Sequence, residues 1–315
     1  MSRIAIMAHY DPRGQVAPHV RRHVEHLAVA FDTVVVVSTA DLGPQEREWL
    51  EQRCRLIVRP NFGYDFFSYK TGLDSCADLS DHDEVVLCND TFVGPLVSYD
   101  EIFAGMADEP VDFWGFTASD RNRPHLQSFF VCFRSWVVGS PAFTDFWRTL
   151  VPIDDRLQVI YRYEIGLTEA LEAGGFRWKP YFEATASERT LARRRMAWWS
   201  IHRQKRPTGR RRTVKHLWNT ARAPWNPAIG LADSALDGGR LPVVKIDTLR
   251  YDPYGLGADR LLRSCERVYA SSFAGVREML TETAPLYPTR ADEQLRPTPP
   301  ALRPLRRLVE YRRGW

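Results

Sequence analysis

The order of apolar and polar positions in the first sixty residues predicts alternating strands and helices. A continuous β-branched run, Thr33–Ser38, is typical of a strand that is buried on both faces of a sheet. Apolar residues at helical spacing predict a helix over Val16–Phe31, and a second helix is predicted over residues 44–53. With strands at Arg3–His9 and Arg55–Val58, this alternation favours a mostly parallel α/β sheet with right-handed crossovers.

The same kind of pattern continues to about residue 184, where the composition changes. Further strands are predicted at Glu84–Cys88, Phe113–Phe116 and Ser128–Phe133, and further helices at Phe143–Leu150 and Ile160–Ala173. We therefore predict three parts: an α/β ligand-binding domain over residues 1–184, a basic helical extension over residues 185–284, and a Pro/Arg-rich tail over residues 285–315.

Composition narrows the class of protein. No stretch approaches eighteen consecutive apolar residues, so a membrane-spanning helix is not expected, and the first ten residues lack the pattern of an export signal. The five cysteines are scattered without a CxxC pair, which argues against a zinc site or a disulfide framework and fits a reducing compartment. We expect a cytoplasmic protein.

Basic residues are concentrated in one segment although the net charge is only +4. Residues 185–225 contain twelve Lys/Arg and a single acid, Glu188, with Trp198, Trp199 and Trp218 among them. This mixture favours an anionic membrane surface as partner, because tryptophan suits the lipid interface and the cations suit the headgroups. A solvated charge run beside core tryptophans is the alternative, and nucleic-acid binding is not expected.

Candidate binding residues follow the predicted strands. Ligands of an open parallel sheet bind beyond the carboxyl ends of its strands, although a lone acid at such a position is often only a turn residue. Gly63 permits a left-handed turn or close approach to a ligand. The candidates at these ends are His9, Tyr10, Asp11, Arg59, Asn61, Gly63, Asp65, Lys70, Asn89 and Asp90.

Asp90 and a second acid, Glu164, have residue types and positions that suggest roles in a reaction. Asp90 suits a divalent cation held against a diphosphate, since Mg²⁺ and Mn²⁺ need only one or two protein carboxylates. Glu164 is expected at the start of a helix, where it acts as a general base or is merely a favourable first-turn residue. His125 and Gln127, which precede a predicted strand, are further candidate site residues.

Six stretches of the chain resemble, in the same order, those of the rhamnan synthesis protein F family, a branch of glycosyltransferases with the GT-A nucleotide-sugar fold. They are IAIMAHYDPRGQV, VRPNFGYDFFSYKTGL, EVVLCNDTFVGPL, VDFWGFT, HLQSFFVCFR and YEIGLTEALEAGGFR. A weaker match continues over residues 226–250, so the resemblance covers roughly residues 3–280.

The resemblance implies a GT-A-like (Rossmann-like) domain that transfers L-rhamnose from its dTDP derivative to a cell-surface polysaccharide or a lipid-linked acceptor. It places Arg59, Asn61, Gly63 and Asp65 at the nucleoside. Asn89 and Asp90 stand where the family pattern has its metal motif, with Asn in place of one acid, which puts metal dependence in question. Glu164 matches the base of inverting enzymes. With such a reaction we expect Lys70 or Arg59 to assist the leaving diphosphate, and we place His125 and Gln127 on the acceptor side.

A non-catalytic alternative follows from the single acid at the metal position. In that interpretation the chain is a GT-A-like scaffold in a polysaccharide-assembly complex. The basic extension then serves as its attachment surface, whereas in an enzyme it faces the acceptor or the inner face of the cell membrane.

Overall fold

The computed structural model describes residues 1–77, 79–120, 122–202, 226–287, 298 and 300–312. Part of the predicted basic segment, including Trp218, and part of the tail lie outside these residues. The chain divides into two compact units. Unit 1 comprises Met1–Thr91, Val97–Ala118 and Pro124–Tyr181, and unit 2 comprises Phe92–Leu96, Ser119–Arg123 and Phe182–Trp315.

The strands of the described residues are numbered in chain order. They are β1 Arg3–His9, β2 Thr33–Ser38, β3 Arg55–Val58, β4 Glu84–Asn89, β5 Phe92–Val93, β6 Phe113–Gly115, β7 Ala118–Ser119, β8 His125–Leu126, β9 Phe130–Arg134, β10 Trp178–Pro180 and β11 Val244–Lys245.

The helices are numbered in the same way. Those of unit 1 are α1 Pro18–Ala30, α2 Pro44–Glu51, α3 Tyr64–Asp74, α4 Tyr99–Ala107, α5 Ser135–Val138, α6 Pro141–Thr149, α7 Arg156–Val159 and α8 Gly166–Ala173. Those of unit 2 are α9 Ala186–His202, α10 Pro227–Gly230, α11 Ile246–Tyr251, α12 Ala258–Val268, α13 Ala270–Phe273, α14 Val276–Thr283 and α15 Arg303–Arg307.

Unit 1 is built on a seven-stranded sheet in the order β10-β6-β9-β4-β1-β2-β3. Neighbouring strands are parallel except at β9, which runs antiparallel to both β4 and β6. The predicted α/β class with a mostly parallel sheet flanked by helices is confirmed. The reversal of β9 has a consequence for the site, because the beginning of β9 lies at the edge where its parallel neighbours end.

Both faces of this sheet are covered, which explains why β1, β2 and β4 are apolar almost throughout. On one face, Phe66, Tyr69 and Leu73 of α3 pack into the main hydrophobic cluster with Ile6 and Val37. On the other, Tyr99 of α4 stacks on Phe130, and Phe103 meets Trp114 edge to face at 5.5 Å between ring centroids.

Two predicted boundaries need correction. The strand predicted from Ser128 begins at Phe130. The N–H and the hydroxyl of Ser128 both donate to Glu164, and Ser128 is not paired with a neighbouring strand. The helix predicted from Ile160 begins earlier, at Arg156, where the Asp155 carboxylate caps the Gln158 N–H at 2.8 Å. Between α7 and α8, Ile160–Ile165 form a π-helical turn.

Unit 2 is mainly helical in its described part, with a short antiparallel pair between β5 and β11. Its interior contains a fully buried ion pair, in which the guanidinium of Arg195 in α9 donates to both carboxylate oxygens of Asp233 at 2.7 and 2.8 Å. Arg195 also donates to the carbonyls of Val309 and Gly230. One residue of the predicted basic surface is therefore an interior residue.

Candidate functional site

A cavity of about 300 Å³ lies at the edge of the unit 1 sheet where β1, β2 and β3 end and α3 begins. This is the position expected for ligands of an open α/β sheet. The described residues that line it are Ala8, His9, Tyr10, Thr39, Asn61, Phe62, Gly63, Tyr64, Asp65, Ser68 and Asp154. Five predicted site residues are among them: His9, Tyr10, Asn61, Gly63 and Asp65.

Asp65 connects this cavity to the end of β4. Its carboxylate accepts a hydrogen bond of 2.7 Å from the side-chain amide of Asn89. The carbonyl oxygen of that amide in turn accepts from the N–H and the hydroxyl of Thr91, at 3.1 and 2.7 Å. The amide N–H₂ of Asn89 is thus held toward Asp65 and donates to it. An ionised carboxylate at position 89 has no N–H or O–H and could not make this hydrogen bond.

Asp90 is the acid of this strand end. Its carboxylate accepts from the Tyr10 N–H at 2.6 Å, and its backbone carbonyl accepts from Nε2 of the buried His19 at 2.9 Å. Burial, together with the nearby Asp65 and Asp11, raises the pKa of Asp90 to about 8, against the opposing effect of the Tyr10 hydrogen bond. Asp90 therefore holds its proton across much of the neutral range unless a cation compensates it.

Glu164 lies in the π-helical turn and not at a helix N-terminus, so the predicted dipole stabilisation is wrong. Its charge is stabilised by Ser128, whose N–H donates at 3.0 Å and whose hydroxyl also donates, and by Nε2 of His125 at 3.5 Å. Burial opposes ionisation, but these contacts outweigh it and lower the pKa of Glu164. The side chain keeps 17% of its surface exposed.

Tyr69 of α3 links the two groups of acids. Its hydroxyl donates to the Ser128 carbonyl at 2.9 Å, next to the Ser128 N–H that holds Glu164. Burial raises the pKa of this phenol, and the charges of Asp65, Asp90 and Glu164 raise it further. These three acids, which come from three separate segments of the chain, therefore lie close enough to one buried hydroxyl to act on it electrostatically.

Arg59 does not point into the cavity as a free cation. Its guanidinium donates to the backbone carbonyls of the turn that follows β3 and to the hydroxyl of Ser68. Lys70 is turned away from the cavity as well: its ammonium donates to the Trp147 carbonyl at 2.9 Å and pairs with Asp74 at 3.1 Å. Neither placement supports direct contact with a diphosphate.

The other predicted residues are tied into the same edge of the sheet. Nδ1 of His9 lies 2.9 Å from the Ser38 hydroxyl, and burial lowers the pKa of His9 to about 4, so the ring is neutral at pH 7. Asp11 pairs with Arg13 at 3.0 Å. The buried Gln127 accepts from the Thr117 hydroxyl at 2.8 Å, which fixes its amide within the protein.

The residues present fit an open cation site and not a closed cage. Within the described ranges, no group of three or more His, Cys, Asp or Glu is arranged to hold a metal. Asp90 and Asp65 supply the one or two carboxylates that Mg²⁺ or Mn²⁺ takes when phosphate oxygens and water complete its shell. None of the described residues that line the cavity is Lys or Arg.

Sequence reasoning missed several residues of this site. Asp154, Tyr64 and Phe62 line the cavity, and Ser128 and Tyr69 join it to Glu164. Ser128 stands within the HLQSFF stretch, and Phe62 and Tyr64 within the Asn61–Leu73 stretch, both of which had been singled out. Asp154 carries no local signal, because its role depends on a contact across 91 residues.

Two curated relatives match part of the chain. The uncharacterized protein y4gN of Sinorhizobium fredii is 30% identical over 179 residues, which is 55% of this chain and 46% of that protein. Virulence protein VirA of Vibrio anguillarum is 32% identical over 126 residues, or 38% of this chain and 40% of that protein. The chain spans less than half the length of either relative.

Solved structures with the same general architecture are distant. Residues 1–349 of S. aureus TarS align with 91% of this chain and 92% of that chain, at a TM-score of 0.37 and 12% identity. A glucosyl-3-phosphoglycerate synthase from Mycobacterium tuberculosis, solved with Mn²⁺, UDP-glucose and phosphoglyceric acid, covers 44% of this chain and 58% of that chain, with a TM-score of 0.31 and 10% identity.

A family model gives the decisive comparison. The model described as Rhamnan synthesis protein F matches residues 34–224, which is more than half of the chain. The matched span includes α3, the end of β4, the segment before β9 and the π-helical turn that carries Glu164. The predicted resemblance is confirmed, and with it the coarser prediction of a glycosyltransferase-like protein. The chain belongs to the rhamnan synthesis protein F family.

Proposed function

We propose that this chain is an inverting glycosyltransferase that moves a sugar from a nucleoside diphosphate donor to a glycan or lipid-linked acceptor. The specific donor that we propose is dTDP-L-rhamnose, and the product is part of a cell-surface polysaccharide. Family membership supports the class of reaction. The observation that carries the proposal is the hydrogen-bonded connection from Tyr69 of α3 through Ser128 to Glu164, at a phenol that also feels the charges of Asp65 and Asp90.

Glu164 suits the role of general base. It is ionised at neutral pH because Ser128 and His125 lower its pKa, and it retains some exposure through which an acceptor hydroxyl can approach. The hydroxyl oxygen forms a bond to the anomeric carbon while the bond to the diphosphate oxygen breaks. The hydroxyl proton passes to a carboxylate oxygen of Glu164, and the diphosphate leaves with the bonding electron pair. One displacement of this kind inverts the anomeric centre.

Asp90, assisted by Asp65, suits the diphosphate side of the site. A divalent cation bound there neutralises the negative charge that develops on the leaving diphosphate. The protein's contribution is to hold Asp90 through the N–H of Tyr10 and the ring of His19. The lack of Lys and Arg among the described lining residues supports dependence on such a cation.

Donor binding is the first test. Isothermal titration with dTDP, with and without Mg²⁺ or Mn²⁺, should show binding that the cation strengthens. A screen of nucleotide sugars for slow hydrolysis should then single out dTDP-L-rhamnose. Binding of dTDP with preferential turnover of another nucleotide sugar would retain the transferase and reject rhamnose as the donor.

Two substitutions test the assigned roles. We expect Glu164→Gln to lower kcat by about 10²- to 10⁴-fold, the range that removal of a general base produces, and Asp90→Ala to abolish cation-dependent binding. Glu172→Gln on α8 and Asp100→Asn on α4 are matched controls, since both side chains are exposed. Full turnover in folded Glu164→Gln and Asp90→Ala proteins would rule out the mechanism.

We also propose that α9 attaches the protein to an anionic membrane surface. Arg189, Arg193 and Arg194 are exposed on this helix, and Ile201 keeps 40% of its surface exposed. No described helix is both long and apolar enough to cross a bilayer. Each Arg near such a surface adds about 1 kcal/mol of attraction, so three replacements with Glu should abolish sedimentation with phosphatidylglycerol vesicles.

The control for that experiment is Arg267→Glu, an exposed substitution on α12. It should leave vesicle binding unchanged. Equal binding of the triple variant and the unmodified protein would exclude α9 as the attachment surface.

A non-catalytic scaffold is the competing function. It is favoured by the absence, within the described residues, of a group of three or more metal-binding side chains, and by the engagement of Asn89 with Asp65. This alternative predicts no binding of dTDP in the presence or absence of Mg²⁺ and Mn²⁺. The titration described above therefore decides between the two.

A further inference from the structure

The turn that follows β3 is held by an arginine whose hydrogen-bonding capacity is fully used. A guanidinium has five N–H donors, and Arg59 makes five hydrogen bonds within the protein. They run to the carbonyls of Pro60, Phe62 and Tyr64 at 2.9, 2.7 and 3.0 Å, and to the Ser68 hydroxyl at 3.2 and 2.7 Å. Arg59 therefore fixes the backbone of the turn and has no donor left for a phosphate.

The opposite side of the same turn is held by Asp154. Its carboxylate accepts from the Gly63 N–H at 3.0 Å. Gly63 has φ +72°, and a Cβ there would lie 2.7 Å from Cβ of Phe67 and 3.1 Å from Cβ of Pro152. The turn thus has a left-handed glycine that no side chain can replace without displacing its neighbours.

Tyr64 repeats the left-handed conformation, at φ +52°, which is uncommon for a residue that has a side chain. Its ring lines the cavity with 44% of its surface exposed. The adjacent Phe62 also lines the cavity, with 37% exposed, and packs against Phe67 at 5.1 Å between ring centroids. A backbone outlier that places an exposed ring in a cavity points to contact with a ligand.

We infer that the Phe62–Tyr64 turn is a preformed stacking surface for the flat base of the donor nucleotide. Arg59 and Asp154 are positioning residues that hold this turn and do not themselves contact the diphosphate. The inference rests on the proposed function, because it takes the ligand to be a nucleoside diphosphate. Aromatic rings stack on the π-face of any base, so the surface supplies affinity and leaves base discrimination to polar neighbours such as Asn61.

Tyr64→Gly isolates the contribution of the ring. Glycine adopts positive φ without cost, so this change removes the ring while it preserves the turn. We expect the Kd for dTDP, measured by titration calorimetry, to rise about tenfold, which corresponds to the loss of one stacking contact. Tm should stay the same or rise, and Tyr64→Phe should bind dTDP like the unmodified protein. A Kd within twofold of the original in Tyr64→Gly would overturn the stacking surface.

Arg59 and Asp154 are tested with variants that separate geometry from charge. Asp154→Asn keeps a carbonyl oxygen for the Gly63 N–H and should bind dTDP as before, whereas Asp154→Ala should weaken binding about tenfold. Arg59→Lys keeps the charge but has only three donors for five contacts, so it should weaken binding to a similar degree. The donor KM should rise in both weakened variants, with kcat unchanged, because Glu164 is untouched.

Pyrophosphate serves as a probe that lacks the base. Tyr64→Gly should leave pyrophosphate affinity unchanged while dTDP affinity falls, and an equal fall for both would overturn contact with the base. Parallel losses of Tm and kcat in Arg59→Lys and Asp154→Ala would assign the pair to stability instead of positioning. Failure of the unmodified protein to bind any nucleoside diphosphate would instead overturn the proposed function.

Discussion

Asp90 and Glu164 show how environment assigns opposite protonation states to two carboxyls of one site. Burial is the main cause that raises the pKa of Asp90 to about 8, and the neighbouring Asp65 and Asp11 contribute to it. Glu164 receives hydrogen bonds from Ser128 and His125, so its pKa is lowered despite burial. Pairs of acids whose pKa values are pushed apart in this way are typical of sites that separate acid, base and electrostatic roles.

The raised pKa of Asp90 predicts that a cation and a proton compete for the same carboxylate. Below about pH 8 the proton must leave before Mn²⁺ binds, so Mn²⁺ affinity should rise about tenfold per pH unit up to that value and then level off. Titration calorimetry at pH 6.5, 7.5 and 8.5 measures this. Asp90→Asn should bind Mn²⁺ weakly and without that pH dependence, and a flat profile in the unmodified protein would contradict the assignment.

The lowered pKa of Glu164 predicts where kcat falls on the acid side of the pH–rate profile, which is its acid limb. A base works only when ionised, so kcat should fall as the pH drops through a pKa below the usual value of 4.5. His125→Phe removes one stabilising contact, so the limb should move to higher pH with little change of kcat at pH 7.5. Initial rates across the pH range, with Tm as a check on folding, measure the shift. An unmoved limb would show that His125 does not tune Glu164.

At the scale of elements, the strands and helices with a strong apolar period were predicted correctly, and the contacts between them were not. The run Thr33–Ser38 is β2, and the Gly63 turn does begin a helix, α3. Nothing local to the sequence marks the π-helical turn around Glu164 or the antiparallel course of β9, because both depend on packing against distant segments. The prediction of Arg59 as a ligand is not supported for a different reason: its five hydrogen bonds run to four acceptors within nine residues of it, and the pattern of residue types does not show them.

The approach of α3 to the sheet gives a prediction at this scale. A Cβ on Gly72 would lie 2.3 Å from Cγ2 of Ile6 and 3.3 Å from Cγ2 of Val37, both in the buried core. We expect Gly72→Ala to lower the free energy of unfolding by about 1–3 kcal/mol, measured by urea denaturation, because the helix must move outward. Gly43→Ala is the control, since its Cβ would meet nothing within 4 Å. An equal effect of the two changes would refute the close packing.

At the scale of the whole molecule, the two units are built on different interiors. Unit 1 has a large apolar and aromatic cluster on its sheet. Unit 2 encloses Arg195 and Asp233, and Asp233 also accepts from the backbone N–H of Arg312 at 2.9 Å. The hydrogen bonds and charges of Arg195 and Arg312 outweigh burial and lower the pKa of Asp233. Ionised Asp233 therefore stabilises the folded state fully when the pH is above the pKa that this carboxyl has in the unfolded chain. This stabilisation is lost as the pH falls through the lower pKa of the carboxyl in the folded protein.

This ion pair predicts a large difference between two adjacent arginines. Arg195→Met leaves Asp233 without its bidentate partner and should cost about 3–5 kcal/mol, as for other buried pairs that lose one member. Arg194→Met changes an exposed side chain and should alter the free energy of unfolding by less than about 0.5 kcal/mol. Chemical denaturation of both variants at pH 7 measures the contrast. Similar stabilities would mean that Arg195 contributes no more than a surface cation.

The reversed course of β9 bears on how such a site diversifies. Segments that leave β1, β2 and β3 shape the cavity proposed for the donor, whereas Gln127 and Ser128 arrive at the same edge from the opposite direction, ahead of β9. One half of the site is thus formed by loops that follow strands, and the other half by a loop that precedes a strand, so the two halves share no turn. In the proposed function, an insertion ahead of β9 would therefore change the acceptor half first, whereas changes in the turns after β1, β2 and β3 would change the donor half.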